Sequence, residues 1–164
     1  MPVLLCSDIN IEGLEHLVTR YGMEVTRVAD HAHIPGSFWH PPEAGLVGNV
    51  LYIRDDTPVH SALHEACHFI CMDHQRREDL DTNAGGDYEE ENAVCYLQVL
   101  LANELADMGT QRMFSDMDAW GYSFRLGSSH DWFEHDAEDA VEWLRRYDLI
   151  DDDHQPMFNV RRES

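Results

Sequence analysis

Two histidines four residues apart, with a glutamate directly after the first, are the residues of this chain best suited to chemistry. They are His64, Glu65 and His68, in the pattern HExxH. On an α-helix, residues i and i+4 differ by about 40° around the axis, so both imidazoles project together and can bind one zinc ion. Glu65 lies about 100° from His64, where its carboxylate can reach a metal-bound water without being a ligand. The spacing therefore predicts metal-assisted hydrolysis with Glu65 as general base.

The segments before and around the motif predict a strand and a helix that position it. Residues 46–53 are apolar and β-branched, as is typical of a strand. After a short turn, Thr57 suits the N-cap of a helix and Pro58 suits its first position. Strand, turn, capped helix and motif follow one another in the order that such a site requires, so we expect the motif to lie on this helix.

A catalytic zinc normally takes three protein ligands, and His74 is one candidate for the third. It lies six residues after His68, which is the metzincin spacing. In the metzincins a glycine between these two positions lets the chain leave the helix sharply, whereas Cys71 occupies that position here. Cysteine is a poor substitute for glycine in such a turn, which argues against His74.

A glutamate at the start of a second helix is the other candidate for the third ligand. Residues 88–108 are apolar on nearly all sides and predict a central, mostly buried helix. Glu90 lies in line with the apolar stripe of this helix. A buried carboxylate is costly unless a cation meets it, so we expect Glu90 to bind the zinc. Its neighbours Glu89 and Glu91 are possible replacements, and Glu91 is only about 100° round the same turn.

Together these elements resemble the gluzincin-type metallopeptidases of the ImmA/IrrE family. The resemblance rests on the HExxH helix and on Glu90-Glu91-Asn92-Ala93 followed by Leu100-Leu101, and it covers roughly residues 10–105. In that family a glutamate that opens the helix after the motif completes the zinc site, which implies this role for Glu90. The resemblance also implies a zincin-like fold and the cleavage of a regulatory protein such as a repressor.

We expect an α+β fold in which the active-site helix and the central buried helix pack on a small sheet. One metallopeptidase-like domain would span residues 1–150, followed by a polar C-terminal tail over 151–164. Hydrophobic periodicity predicts the remaining elements. These are helices over 11–21 and 136–147, a helix or turn over 115–126 and a strand over 23–29.

The charge of the chain argues against nucleic-acid binding. It has 32 acidic residues against 11 basic residues, all of them arginine, and a formal net charge of −21. Such a surface repels phosphate backbones and anionic membranes, and the acidity serves either solubility or a basic substrate or partner. No segment approaches the length of a membrane span, the first residues lack the basic region of a signal peptide, and the four cysteines lack disulfide-framework spacing. We therefore expect a cytoplasmic protein with no nucleic-acid or membrane partner.

The predicted activity is that of a zinc-dependent peptidase acting on a protein or peptide. Glu65 takes a proton from the water that attacks the peptide carbonyl and then passes it to the leaving amine. Three side chains are candidates for stabilising the oxyanion: Tyr88, Tyr122 and His130. One alternative is a zinc hydrolase of a small amide, and another is a non-catalytic, metal-stabilised scaffold or sensor that uses Cys67 or Cys71. A purely structural site needs no general base, so Glu65 favours an enzyme.

Overall fold

Three short strands form a mixed sheet that packs against the helix carrying the motif. The computed structural model describes residues 2–37, 42–78, 86–124 and 127–162. Within these residues the strands are β1 (Glu24–Arg27), β2 (Gly45–Val47) and β3 (Val50–Ile53), in the order β1-β3-β2. Strand β1 runs parallel to β3, and β2 runs antiparallel to β3.

The segment predicted as one strand over 46–53 is a tight hairpin. Val47 of β2 pairs with Val50 of β3, so Gly48 and Asn49 form a two-residue turn. Gly48 has a φ of +59°, which glycine adopts without steric cost, and a glycine in the first of the two turn positions matches the turns that natural hairpins favour. The prediction of a single strand is therefore corrected. The second arm, β3, is the one that leads into the motif helix.

Seven α-helices make up much of the remaining described chain. They are α1 (Ile11–Thr19), α2 (Val59–Cys71), α3 (His74–Glu78), α4 (Tyr88–Ala102), α5 (Thr110–Trp120), α6 (Ser129–His135) and α7 (Glu138–Arg146). The helices and the mixed sheet confirm the α+β class. None of the helices in the described ranges has the length and apolar character needed to cross a membrane.

The helix predictions differ from the structure mainly at their ends. Helix α4 ends at Ala102 rather than near residue 108, and α5 begins at Thr110, five residues before its predicted start. The end predicted for that helix, at residue 126, lies outside the described residues. Helix α6 is not predicted, because its seven residues are too few to show a clear hydrophobic period.

The N-terminus of α2 also differs from the prediction. Pro58 is the N-cap, with an extended backbone, and no side chain caps the helix. Thr57 is buried, and its hydroxyl accepts a hydrogen bond from the backbone N–H of Arg54 at 2.9 Å. The predicted Thr57 cap is wrong because this hydroxyl closes the turn between β3 and α2 instead of the first turn of the helix.

Helices α2 and α4 form the centre of the fold. Helix α2 packs along α4 and against β2 and β3, and α4 also packs against α5 and α7. Leu63, Ile70, Leu97 and Leu101 are each at most 1% exposed. Burial of apolar surface contributes ~25 cal/mol per Å², so this helix pair is a stable support for the polar side chains that project from it.

Residues 151–162, predicted as a polar tail, pack back over the domain. The ring of Phe158 lies against Tyr21, with centroids 5.5 Å apart. The backbone N–H of Arg161 donates to the carbonyl of Ile70 at 2.9 Å, near the end of α2. The segment is thus joined to the residues after α1 and to the C-terminal turn of the motif helix.

Candidate metal centre

His64 and His68 project from consecutive turns of α2 and face each other. Their Nε2 atoms are 3.1 Å apart, and their ring planes cross at 84°. The side chain of His68 is 5% exposed and that of His64 is 20% exposed. The structure therefore places the two nitrogens close together, at a site that solvent reaches from the side of His64.

Glu91 of α4 places a carboxylate beside these two nitrogens. Its Oε1 lies 3.5 Å from Nε2 of His68, and its Oε2 lies 4.0 Å from Nε2 of His64. Ligand atoms of the three residues all lie within 4.8 Å of one another. Around a tetrahedral zinc with bonds of about 2.0–2.1 Å, neighbouring ligand atoms are roughly 3.3 Å apart. Two neutral imidazoles and one carboxylate at this spacing fit such an ion.

Glu90, the residue expected to be the third ligand, belongs to a different cluster. Its side chain is 3% exposed, and its two oxygens lie 2.8 and 2.9 Å from the guanidinium of Arg76. Arg161 approaches the same carboxylate at 3.4 Å. The buried carboxylate does meet a cation, as expected, but arginines supply that charge. The structure thus places Glu90 with the arginines, and its neighbour Glu91 is the glutamate that lies beside the two histidines.

Gln98 of α4 fixes the orientation of His64. Its amide nitrogen donates to the carbonyl of His60 at 2.9 Å, which turns Oε1 of Gln98 toward His64. Nδ1–H of His64 donates to this oxygen at 2.8 Å. Because Nδ1 carries the proton, Nε2 keeps its lone pair, which is the form that binds a metal. Gln98 is fully buried, so this arrangement is protected from water.

Burial keeps both imidazoles neutral. It lowers the pKa of His64, and it lowers the pKa of His68 well below the usual value, where repulsion from His64 and Arg76 acts in the same direction. Metal ligation requires neutral imidazole, so neither histidine has to lose a proton at neutral pH. Nδ1 of His68 is buried and has no hydrogen-bond partner among the described residues. Among the described residues, the polar neighbours of the His68 ring therefore lie at Nε2, next to His64 and Glu91.

Glu65 lines an open cleft of about 620 Å³ beside the two histidines and Glu91. Burial, together with the charges of Glu43 and Glu91, raises the pKa of Glu65 to about 8. A bound divalent cation acts in the opposite direction, because its charge stabilises the ionised carboxylate. A cation held by the two histidines and Glu91 would therefore favour the ionised form of Glu65, which is the form that a general base requires.

Aromatic side chains form much of the cleft wall. The ring of Tyr122 stands edge-on to that of His64, with centroids 5.6 Å apart, and its hydroxyl lies 3.1 Å from Nδ1 of His60. Tyr88 also lines the cleft and is 78% exposed. His130, the third candidate for stabilising the oxyanion, lies on α6 and is not among the described residues that line the cleft.

The other candidate ligands lie apart from the cluster of His64, His68 and Glu91. The side chain of His74 is 62% exposed at the start of α3 and pairs with Glu78 at 3.0 Å. Cys67 and Cys71 are buried, and this burial raises the pKa of each thiol well above its usual value, so both stay protonated. They are buried, protonated cysteines on the apolar side of α2.

Three polar residues of the site were not predicted from the sequence: Gln98, Glu43 and Trp120. Gln98 follows Glu91 by seven residues, close to two helical turns, so both lie on one face of α4. That spacing was a usable signal. Glu43 and Trp120 meet only in the folded chain, where a loop before β2 contacts the end of α5. No local pattern in the sequence predicts such a contact.

Comparison with known proteins adds no assignment to this geometry. No family model, no curated protein and no solved structure matches the chain.

Proposed function

We propose that this protein is a zinc-dependent peptidase that hydrolyses peptide bonds with a metal-activated water. One observation supports this most strongly. His64, His68 and Glu91 bring two neutral nitrogens and a carboxylate together at the edge of a cleft that Glu65 also lines. This ligand set leaves one position of a tetrahedral ion open, which distinguishes catalytic from structural zinc sites.

When bound, zinc supplies a Lewis acid and lowers the pKa of a coordinated water to about 7. The chain's own residues do the rest. Glu65 accepts the proton of the attacking water and returns it to the leaving amine, so its carboxylate must be ionised before attack and protonated after it. Gln98 holds His64 in the tautomer that presents Nε2. Tyr88 and Tyr122 line the cleft and are the candidates for hydrogen bonds to the oxyanion.

Replacing Glu65 by glutamine tests whether the site is catalytic. The zinc-loaded protein and Glu65→Gln are incubated with a library of peptides derived from a proteome, and the products are identified by mass spectrometry. We expect cleavage by the wild type and a loss of roughly 10²–10⁴-fold in the variant, which is the usual contribution of general base catalysis. Zinc content, measured by atomic emission, should be equal in the two proteins because Glu65 is not a ligand.

Glu12→Gln is the control, since Glu12 is an exposed residue of α1 and its replacement makes the same change in charge. It should leave turnover unchanged. Equal products from the wild type and Glu65→Gln would mean that Glu65 is not the general base. Stoichiometric zinc without any peptide cleavage would instead favour the metal-stabilised scaffold or sensor.

The proposed activity agrees with the resemblance to the gluzincin-type ImmA/IrrE metallopeptidases, with Glu91 in the place of the ligand glutamate. On this basis we propose a zincin-like domain that acts on a regulatory protein in the cytoplasm. The cleft is open to solvent and has a volume of about 620 Å³, which supports a polypeptide substrate in preference to a small amide.

A further inference from the structure

We propose that Glu43 selects substrates with a positively charged side chain, so that the peptide bound in the cleft presents arginine or lysine to this carboxylate. This inference rests on the proposed peptidase function and names its substrate class. Glu43 lies just before β2 and lines the same cleft as Glu65 and Glu91.

The charge of the cleft is the first reason. Its described lining contains three carboxylates, those of Glu43, Glu65 and Glu91, and no arginine. A zinc ion held by the histidines and Glu91 would balance two of these three charges. The charge of Glu43 remains, and none of the ion pairs between described residues includes it. A cationic ligand group is the partner that this carboxylate lacks.

The way in which Glu43 is held is the second reason. Its Oε1 accepts the indole N–H of Trp120 at 2.6 Å, and its Oε2 accepts the hydroxyl of Ser61. Ser61 is itself fixed, because its oxygen accepts the backbone N–H of Ala44 at 2.9 Å. Both donors to Glu43 are neutral, so they orient the carboxylate without compensating its charge. Each carboxylate oxygen has a second lone pair, so Glu43 can still accept hydrogen bonds from a ligand.

The surroundings of Glu43 suit a guanidinium or ammonium group. The side chain of Trp120 lines the cleft, and the residue is 43% exposed. An indole ring next to a carboxylate offers both a cation–π surface and a hydrogen-bond acceptor. The net charge of −21 also draws cationic peptides toward the protein, which raises the rate of association.

Arginine and its neutral isostere citrulline provide the test. One arginine is moved through successive positions of a neutral, fluorescently labelled decapeptide, and each peptide has a twin with citrulline at that position. The ratio of kcat/KM for each pair is measured with the zinc-loaded wild type. If the wild type cleaves none of the peptides, the Kd of each arginine peptide and of its citrulline twin is measured by fluorescence anisotropy, and the ratio of the two Kd values is compared instead.

At one position we expect the arginine peptide to be preferred about tenfold, as is typical of a hydrogen bond to a charged group. In Glu43→Gln the ratio should fall close to one, while zinc content is retained because Glu43 is not among the candidate ligands. Glu12→Gln should keep the preference of the wild type. Trp120→Phe removes a donor to Glu43 and should lower the ratio in part, which gives a second test if Glu43→Gln does not fold.

The inference is overturned if every arginine–citrulline pair gives a ratio within twofold of one, or if Glu43→Gln keeps the preference. Cleavage without such a preference leaves the peptidase function intact and removes only the role of Glu43. Binding that favours arginine through Glu43, without cleavage of any peptide, supports the role of Glu43 in selecting ligands and removes the peptidase function. The two proposals therefore fail in different ways.

Discussion

Glu90 and Glu91 are consecutive residues of α4, yet their carboxylates lie in different electrostatic surroundings. Glu90 is buried between the guanidinium groups of Arg76 and Arg161. Glu91 is 39% exposed by side chain, and the nearest groups to its oxygens include Nε2 of His64 and Nε2 of His68. Glu90 has its counter-charge in direct contact, whereas none of the ion pairs between described residues joins Glu91 to an arginine.

The pKa values and partners of the two clusters follow from this difference. Burial raises the pKa of Glu91, although a hydrogen bond from the backbone N–H of Gly86 acts in the opposite direction. Burial lowers the pKa of both histidines. A divalent cation reverses the cost for Glu91 and uses the lone pairs of the imidazoles at the same time. The lesson is that burial identifies a carboxylate that needs a cation, and only its neighbours tell whether that cation is an arginine or a metal.

Replacing each of the two glutamates by alanine, in separate variants, should produce the largest difference in zinc affinity. Glu91→Ala removes a ligand, so we expect zinc affinity to fall by more than about 100-fold, beyond the 10–100-fold typical of losing an outer partner. Glu90→Ala should keep the three ligands and lose far less affinity. Competition with a chromophoric chelator measures both constants. If Glu90→Ala loses zinc and Glu91→Ala does not, the assignment of the two carboxylates is reversed.

For the free energy of unfolding of the metal-free protein, Glu90→Ala should have a larger effect than Glu91→Ala. Glu90→Ala leaves Arg76 and Arg161 without their shared carboxylate, and loss of one partner of a buried ion pair typically costs roughly 3 kcal/mol. The exposed neighbour Glu89 is the control, and Glu89→Ala should change the free energy of unfolding by less than about 0.5 kcal/mol. Urea unfolding of the metal-free proteins gives the comparison. Equal free energies of unfolding for Glu90→Ala and Glu89→Ala would show that the contacts of Glu90 with the two arginines do not stabilise the fold.

The bond from His64 to Gln98 should have a smaller effect on metal binding. Gln98→Met removes the acceptor of Nδ1–H but keeps a side chain of similar length, so zinc affinity should fall about 10–100-fold. Val99→Ala, at the next buried position of α4, should cost stability through a cavity and leave zinc affinity nearly unchanged. NMR of ¹⁵N-labelled histidine should show Nδ1 protonated in the wild type. A wild-type spectrum with the proton on Nε2 would contradict the role given to Gln98.

The smallest expected effect concerns His60, a buried group with neither a metal nor a counter-ion. Burial, together with repulsion from His64, lowers the pKa of His60 to about 3. Between about 3 and the usual value the unfolded chain binds a proton that the folded chain does not, so stability falls as the pH decreases from 6.5. The slope is at most about 1.4 kcal/mol per pH unit for this one group.

Urea unfolding of the metal-free wild type and of His60→Gln at pH 7.5 and pH 5.5 measures that slope. The glutamine variant can still form a hydrogen bond to Tyr122, and it should lose about 1 kcal/mol less than the wild type over this interval. An identical loss in both proteins would mean that His60 is protonated in the folded state or titrates in the same way in both states.

Much of the site could be predicted because its central features are local. The i,i+4 spacing of His64 and His68 requires only a helix, and α2 forms where strand and turn signals predict it. Which of Glu90 and Glu91 lies beside the histidines depends instead on how α4 is rotated about its axis, because consecutive residues of a helix differ by about 100°. Apolar periodicity correctly predicts that Glu90 is buried, but it contains no information about Arg76 or Arg161. Both arginines reach Glu90 only through tertiary structure.

The same limit explains the errors in the fold. Gly48-Asn49 is a recognised signal for a two-residue hairpin, but the apolar residues on both sides of it also read as one continuous strand. Thr57 has the residue type of an N-cap, yet the turn before the helix uses its hydroxyl. Residues 151–162 are polar in composition, and their packing depends on a few long-range contacts such as that of Phe158 with Tyr21. Local patterns do not contain contacts of this kind.

The separation of Arg161 from Glu90 along the chain sets an order of events during protein synthesis. Arg161 follows Glu90, which it contacts, by 71 residues, so the ribosome adds this arginine after the glutamate. All three candidate zinc ligands leave the ribosome before this arginine does, and domains fold as their sequences become complete. A nascent chain therefore contains all three candidate ligands before Arg161 is available to Glu90, the residue next to the candidate ligand Glu91. The second arginine contact of Glu90 can form only after the whole proposed zinc site has been synthesised.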